Sequence, residues 1–158
     1  MIYKRSRMEL EPSPLAIAVN QIFERLEHEY SLRHLPQFAD KDLLELNGIF
    51  GTLLAESLDL LDREKITIHR RASDNREYFE IIEDQNSVYK LLPNLNYCMC
   101  KTFRDKVLNT NELYTCKHVL ASRLCVLIGK VKVETKSDDA FIFSLQLIRP
   151  MSTIVADE

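Results

Sequence analysis

Two short pairs of residues carry the chemistry of this chain. They are Cys98-Met99-Cys100 and, after fifteen intervening residues, Cys116-Lys117-His118. Together they offer three thiols and one imidazole, a donor set that suits structural zinc. Residues two apart on a strand point to the same face. Asn96 to Cys100 follows a strand-like run, so a fourth short strand is expected to turn Cys98 and Cys100 toward one metal and Tyr97 and Met99 toward a core. Cys116 and His118 open an apolar, helix-periodic segment, where a spacing of two is about 200° of rotation. Those two side chains can converge only at the mouth of the helix, with Cys116 at or just before its first turn. The free N–H groups and the helix dipole there favour thiolate. The competing reading, separate buried thiols and a surface histidine, does not account for the paired spacing. Cys125 falls about two and a half turns beyond Cys116, too far to ligate, and is expected in the core.

Charge bounds what surrounds such a centre. Three thiolates and one Zn(2+) leave a net −1, and Lys101, Arg104, Lys106 and Lys117 lie close enough in sequence to offset it. The same four cations, with Thr102, Phe103 and Tyr114, could meet phosphates and stack a base. Asp105 and Glu112 dilute that patch, and a solvated zinc knuckle is the other reading of it. The whole chain carries −3, so any nucleic-acid affinity has to be local.

The usual catalytic sets are missing. There is no His-Glu-x-x-His and no deaminase-type His-x-Glu with Pro-Cys-x-x-Cys. The three glycines, Gly48, Gly51 and Gly129, precede neither Lys-Ser nor Lys-Thr, which excludes a phosphate-binding P-loop. His28, His34 and His69 read as surface residues. Four protein donors would close a zinc ion, the arrangement of a structural site. The expectation is a non-enzyme.

The elements that must position these residues follow from periodicity. Ser13-Pro14 is a helix start, with serine as cap and proline at the first helical position. Leu15, Val19, Ile22, Phe23, Leu26 and Tyr30 then form one apolar stripe, opposite Gln21, Glu24, Arg25 and Glu27. That stripe packs either on its own domain or on a partner. Asp40 is expected to cap a second helix bearing Leu43, Leu44, Leu46 and Phe50, ended by Gly51. Thr52 opens a third, with Leu53, Leu54, Leu58 and Leu61. From Lys65 the pattern becomes an antiparallel meander: Ile66–Ile68, Tyr78–Ile82 and Val88–Leu92, separated by turns at residues 72–75 and 83–86. One or two helical turns are expected over Phe103–Leu108. The Cys116 helix buries Val119, Leu120, Leu124, Leu127 and Ile128 and stops near Gly129. Asp139–Ile148 is read as a helix ended by Pro150.

The fold class is therefore α+β: N-terminal helices, a small antiparallel meander and a zinc finger closing onto a C-terminal helix. The expected organisation is a flexible arm over 1–12, a helical region over 13–64, the meander and finger over 65–130, and a C-terminal segment over 131–158 with a helix and a frayed end. With 46% apolar and 28% charged residues in 158, the chain has an ordinary globular composition. No run approaches the ~20 apolar residues of a membrane span, and Lys4-Arg5-Ser6-Arg7 leads into acidic rather than apolar sequence, unlike a signal peptide. Cysteines in ligand spacing without a secretory pattern fit a reducing compartment.

Cys98-x-Cys100 and Cys116-x-His118, the latter within Cys-Lys-His-Val-Leu-Ala, resemble the SWIM zinc finger. The wider succession Phe50-Gly51, then Glu56-Ser57-Leu58-Asp59-Leu60-Leu61-Asp62-Arg63, then Ile66-Thr67-Ile68, resembles one branch of that family, the SWIM subunits of the Shu complex in homologous recombination. The likeness runs from about Asp40 to Ile128. It implies one structural zinc, a nuclear protein without catalysis, and a small RecA-like ATPase as partner. The pair would promote assembly of the recombinase filament on single-stranded DNA. Other SWIM domains imply an alternative, a stand-alone DNA-binding module in transcription or transposase-related regulation. A zinc hydrolase would require one of the four ligands to lie off the metal.

Overall fold

The computed structural model describes residues 13–146. The N-terminal arm, its basic run, Pro150 and the chain end lie outside the described residues. The first element, α1 (Pro14–Arg33), starts as its sequence dictates: the Ser13 hydroxyl accepts the Ala16 N–H at 3.2 Å and Pro14 occupies the first position. Ser13→Ala is expected to cost about 1 kcal/mol, measured by urea denaturation. The stripe of α1 packs inward, with Val19, Phe23, Leu26 and Tyr30 buried. Phe23 meets Phe50 edge-on at 6.4 Å.

α2 (Asp40–Phe50) and α3 (Thr52–Asp62) form a hairpin broken at Gly51, whose φ of 52° suits a residue without a side chain. The start of α2 differs from the sequence reading. Ala39 stands at the cap and Asp40 makes no capping bond. The carboxylate that serves this end is Asp42, one turn in and 1% exposed. It accepts the Tyr30 hydroxyl at 3.0 Å and faces Arg25 at 3.4 Å, while the Tyr30 oxygen accepts the Ala39 N–H at 2.9 Å. Arg25 also pairs with Glu29 at 2.8 Å and with Glu45. A tyrosine of α1 thus takes the place of the missing cap and ties the two helices together.

The sheet has four strands in the order β3-β2-β1-β4. β1 (Ile66–Arg71), β2 (Glu77–Asp84) and β3 (Ser87–Leu91) are the antiparallel meander. Register sets Ile68 opposite Phe79 and Phe79 opposite Leu91, so one face is continuously apolar. The helices α3 and α4 (Lys117–Leu127) cover that face, and α1 lies against α4.

Two features depart from the sequence reading. The residues around Cys98 and Cys100 form no strand. Instead β4 (Lys132–Lys136) completes the sheet, pairing parallel to β1. The opposite face is also covered. α5 (Asp138–Gln146) lays Phe141 against Tyr78 at 5.2 Å, and Tyr78 against His69 at 4.9 Å. His69, expected at the surface, is consequently buried at 3% exposure, with Nε2 3.1 Å from Glu80 and Nδ1 3.5 Å from Glu134. Cys125 is buried in α4, its thiol 3.1 Å from the Ser122 carbonyl; burial pushes that thiol up to about 12. Among the described residues no helix is long and apolar enough to cross a membrane.

Candidate metal centre

β3 ends at Leu91, and Pro93 cannot donate to a ladder. Asn94 then takes a left-handed φ of 60°, which turns the chain off the sheet. This is why the expected fourth strand does not form. Asn96 re-anchors the segment: its amide donates to the Tyr114 carbonyl at 3.0 Å and its oxygen accepts the Thr115 hydroxyl at 2.7 Å. The stretches carrying the two ligand pairs are thus clipped together just ahead of each pair. Cys98 and Cys100 are buried although the segment pairs with no strand. Tyr97 and Met99, expected to face a core, are 47% and 37% exposed.

Both inward thiols receive backbone donors. The Cys100 N–H reaches the Cys98 Sγ at 3.4 Å, and the Phe103 N–H reaches the Cys100 Sγ at 3.3 Å. Such donors stabilise thiolate. Phe103 opens a π-helical turn, Phe103–Asn109, and its side chain is fully buried beside Tyr97 at 5.6 Å. That phenyl ring is therefore an anchor and has no free face for a base.

The second pair lies at the helix mouth. Cys116 is the N-cap of α4, with extended backbone, and His118 is the second helical residue. The Nδ1 of His118 lies 3.6 Å from the Cys98 Sγ and 3.9 Å from the Cys116 Sγ. Cys98, Cys100, Cys116 and His118 are all buried, and their four donor atoms lie within 4.8 Å of one another. A tetrahedron built on bonds of ~2.0–2.3 Å needs donor separations of about 3.3–3.8 Å. The donor set suits zinc and its separations come within about 1 Å of that requirement, so the four residues can hold a metal ion.

Shared protons mark the same convergence. The neighbouring Cys116 and Cys98 thiols hydrogen-bond to Cys100 and hold it well below the usual thiol range. Hydrogen bonding with Cys100 and then Cys116 pushes Cys98 up. Cys116 rises to about 12, with Cys100 as the main cause. Three sulfurs at one point cannot all ionise without a cation among them.

Two residues that sequence reasoning missed complete the centre. Tyr89 of β3 stacks on the His118 ring at 4.0 Å. Glu83 of β2 places a carboxylate oxygen 3.4 Å from His118 Nε2, the ring nitrogen remote from the sulfurs. Burial pushes the Glu83 carboxyl up, but the Lys117 ammonium 2.6 Å away, together with His118, outweighs it and holds the group below its ordinary value. No local sequence signal marks either residue, because both reach His118 through the strand register and the packing of the sheet on α4.

The cations proposed for phosphate contact separate into two groups. Lys117 is folded back onto Glu83, and Arg104 pairs with Asp105 at 3.1 Å. Lys101 and Lys106 are exposed. His28 and His34 are also exposed, far in sequence from the centre.

Comparison with known proteins gives a consistent result. The chain is 32% identical over 116 residues to zinc finger SWIM domain-containing protein 7 of Mus musculus, spanning 72% of this chain and 76% of that protein. The Danio rerio protein of the same name is 31% identical over 126 residues, 80% of this chain and 88% of the relative. A Dictyostelium discoideum homolog is 32% identical over 115 residues, 72% of this chain and 73% of the relative. No protein-family profile matches the sequence, and no solved structure matches it.

Proposed function

The chain belongs to the family of zinc finger SWIM domain-containing protein 7, and from that premise we propose that it is a non-enzymatic zinc adaptor in homologous-recombination repair. In this reading it works in the nucleus, pairs with a small RecA-like ATPase and promotes recombinase filament assembly on single-stranded DNA. The observation that carries the reading is the closed donor set. Cys98, Cys100, Cys116 and His118 supply four buried protein donors at one point, which leaves no position for a substrate or an activated water. A centre of that kind shapes a surface and does no chemistry on a ligand.

Zinc, when bound, supplies a redox-inert crosslink among its ligands. The chain's own residues do the rest. Asn96 and Thr115 hold the two ligand segments in register, Glu83 faces the ring nitrogen of His118 remote from the sulfurs, and Tyr89 stacks on the ring. Carboxylates placed this way typically contribute 10–100-fold in metal affinity. Glu83→Ala is therefore expected to lose zinc to a competing chelator at about 10–100-fold lower chelator concentration. Unchanged retention would remove its orienting role.

The test of the function is a pull-down of a recombinant small RecA-like ATPase by the metal-loaded chain, with metal content measured on the same sample. Binding that requires the metal is the expected result. A metal-loaded chain that captures no such ATPase would sink the recombination reading. A second reading, a stand-alone DNA-binding module, draws on the exposed Lys101 and Lys106. It requires salt-steep oligonucleotide binding by the chain alone, losing about one unit of slope per phosphate-contacting lysine removed. The net charge of −3 weighs against it.

A further inference from the structure

Beside the metal centre, α1, α4 and the segment after β3 enclose a groove of about 490 Å³. That volume accommodates a few large side chains. Its bed is apolar, built from Phe23 of α1, Phe79 of β2 and Leu120 of α4. Its rim carries Leu92, Leu95 and Val126, each about half exposed at 48%, 49% and 52%. Polar residues also line it, among them Asn20, Glu27 and Asn94, and one cation stands out. Arg123, half-buried, lies with its guanidinium 3.6 Å above the Phe23 ring. Among the described residues it makes no ion pair or hydrogen bond; only Tyr114 and Glu27 act on it, through space. Burial depresses its pKa, so the cation sits where it is poorly solvated. Arginine stacked on an aromatic ring still has its donor edge available for a planar, bidentate acceptor.

We propose that this groove docks a segment of a protein partner that sets one carboxylate, flanked by large apolar side chains, against Arg123. This rests on the adaptor reading of the chain and names the chemistry of the contact. Charge selects the occupant. The groove also holds Glu27 and Glu77, and Glu77 is already paired with Arg70 at 2.6 Å. Among the described residues Arg123 is the one lysine or arginine lining the groove, so a single carboxylate has a cation to meet, whereas a phosphodiester chain would bring several negative charges against Glu27. Leu92, Leu95 and Val126 fit hydrocarbon on either side of the acid, and no second lysine or arginine among the described residues lines the groove to meet further phosphates. The groove is also held open. The Asn96 clip to Tyr114 and Thr115 fixes the wall next to Cys98 and Cys116, so docking does not have to order a loose loop.

The test pans the zinc-loaded full chain with a phage-displayed random dodecapeptide library. Recovered peptides are then synthesised and titrated by fluorescence anisotropy. The expected consensus is one Asp or Glu among large apolar residues. Arg123→Ala should weaken the best peptide about tenfold or more, the range for truncating one partner of a desolvated charge pair. Val126→Glu, on the exposed rim, should weaken it comparably while melting like the wild type, which separates loss of docking from loss of fold. An empty selection, a consensus without an acid, or peptides that bind Val126→Glu normally would overturn the proposal. So would a labelled oligothymidylate that displaces the peptide, or a sedimenting dimer that Val126→Glu dissociates. The recombination reading is tested separately. Peptides that need Arg123 while no RecA-like ATPase is captured would leave the groove standing and remove that partner. An ATPase that binds Val126→Glu undiminished, with no peptide consensus, would do the reverse.

Discussion

Cys116→Ala is expected to abolish both metal retention and cooperative unfolding. Structural zinc in small fingers contributes roughly 10–16 kcal/mol of folding free energy near neutral pH. A domain of this size is stable by about 5–15 kcal/mol in total, so losing the centre removes as much as the fold possesses. The residue is also structural in its own right, as the N-cap of α4 and 0% exposed. The buried residues of α1, α3, α4 and the sheet form one cluster, so the damage should not stay local. Metal content and a thermal melt followed by circular dichroism measure the effect, and stripping wild-type protein with chelator should reproduce it. A Cys116→Ala protein that melts cooperatively at the wild-type midpoint would show that the metal crosslink does not hold the fold together.

Phe23→Ala is expected to cost about 3–5 kcal/mol, the usual range for deleting a buried phenyl ring. Phe23 is 1% exposed, meets Phe50 edge-on and supports the Arg123 guanidinium. Leu15→Ala, in the same helix but with Leu15 47% exposed, should change stability by no more than ~0.5 kcal/mol. Paired urea titrations of the two variants separate the alternatives for α1. A helix folded into its own domain gives the large difference, whereas a helix waiting for a partner would give little difference in the isolated chain.

The contrast between what could be read from the chain and what could not is physical. Local periodicity revealed α1, the break at Gly51 and the three meander strands, because each reports on burial within one segment. The spacing of Cys98-x-Cys100 and Cys116-x-His118 was legible for the same reason, and the fold brings all four side chains together. What escaped depends on distant segments. Lys132–Lys136 reads as polar linker, yet β1 supplies it with a partner. His69 reads as exposed until α5, some seventy residues later, covers its face. Asp40 has the cap-like position, but Tyr30 of another helix selects Asp42. Asn94 and Pro93 together stop the strand that alternation alone would have continued. Glu83, Tyr89 and Arg123 acquire meaning only from register and packing.

The parallel pairing of β4 with β1 bears on how the molecule is made. Thr67 meets Lys132 only after β2, β3 and α4 have been threaded between them. A growing polypeptide can zip the three-stranded meander early, since those contacts are near neighbours, but closing the remaining edge must wait for a much longer loop, from Thr67 to Lys132. Until then β1 presents an unpaired flank to any other chain in the vicinity. Capture of the ion, by drawing α4 onto the sheet, would shorten that loop and hasten closure, so scarcity of metal during synthesis would leave a population prone to aggregate rather than one that is merely slack.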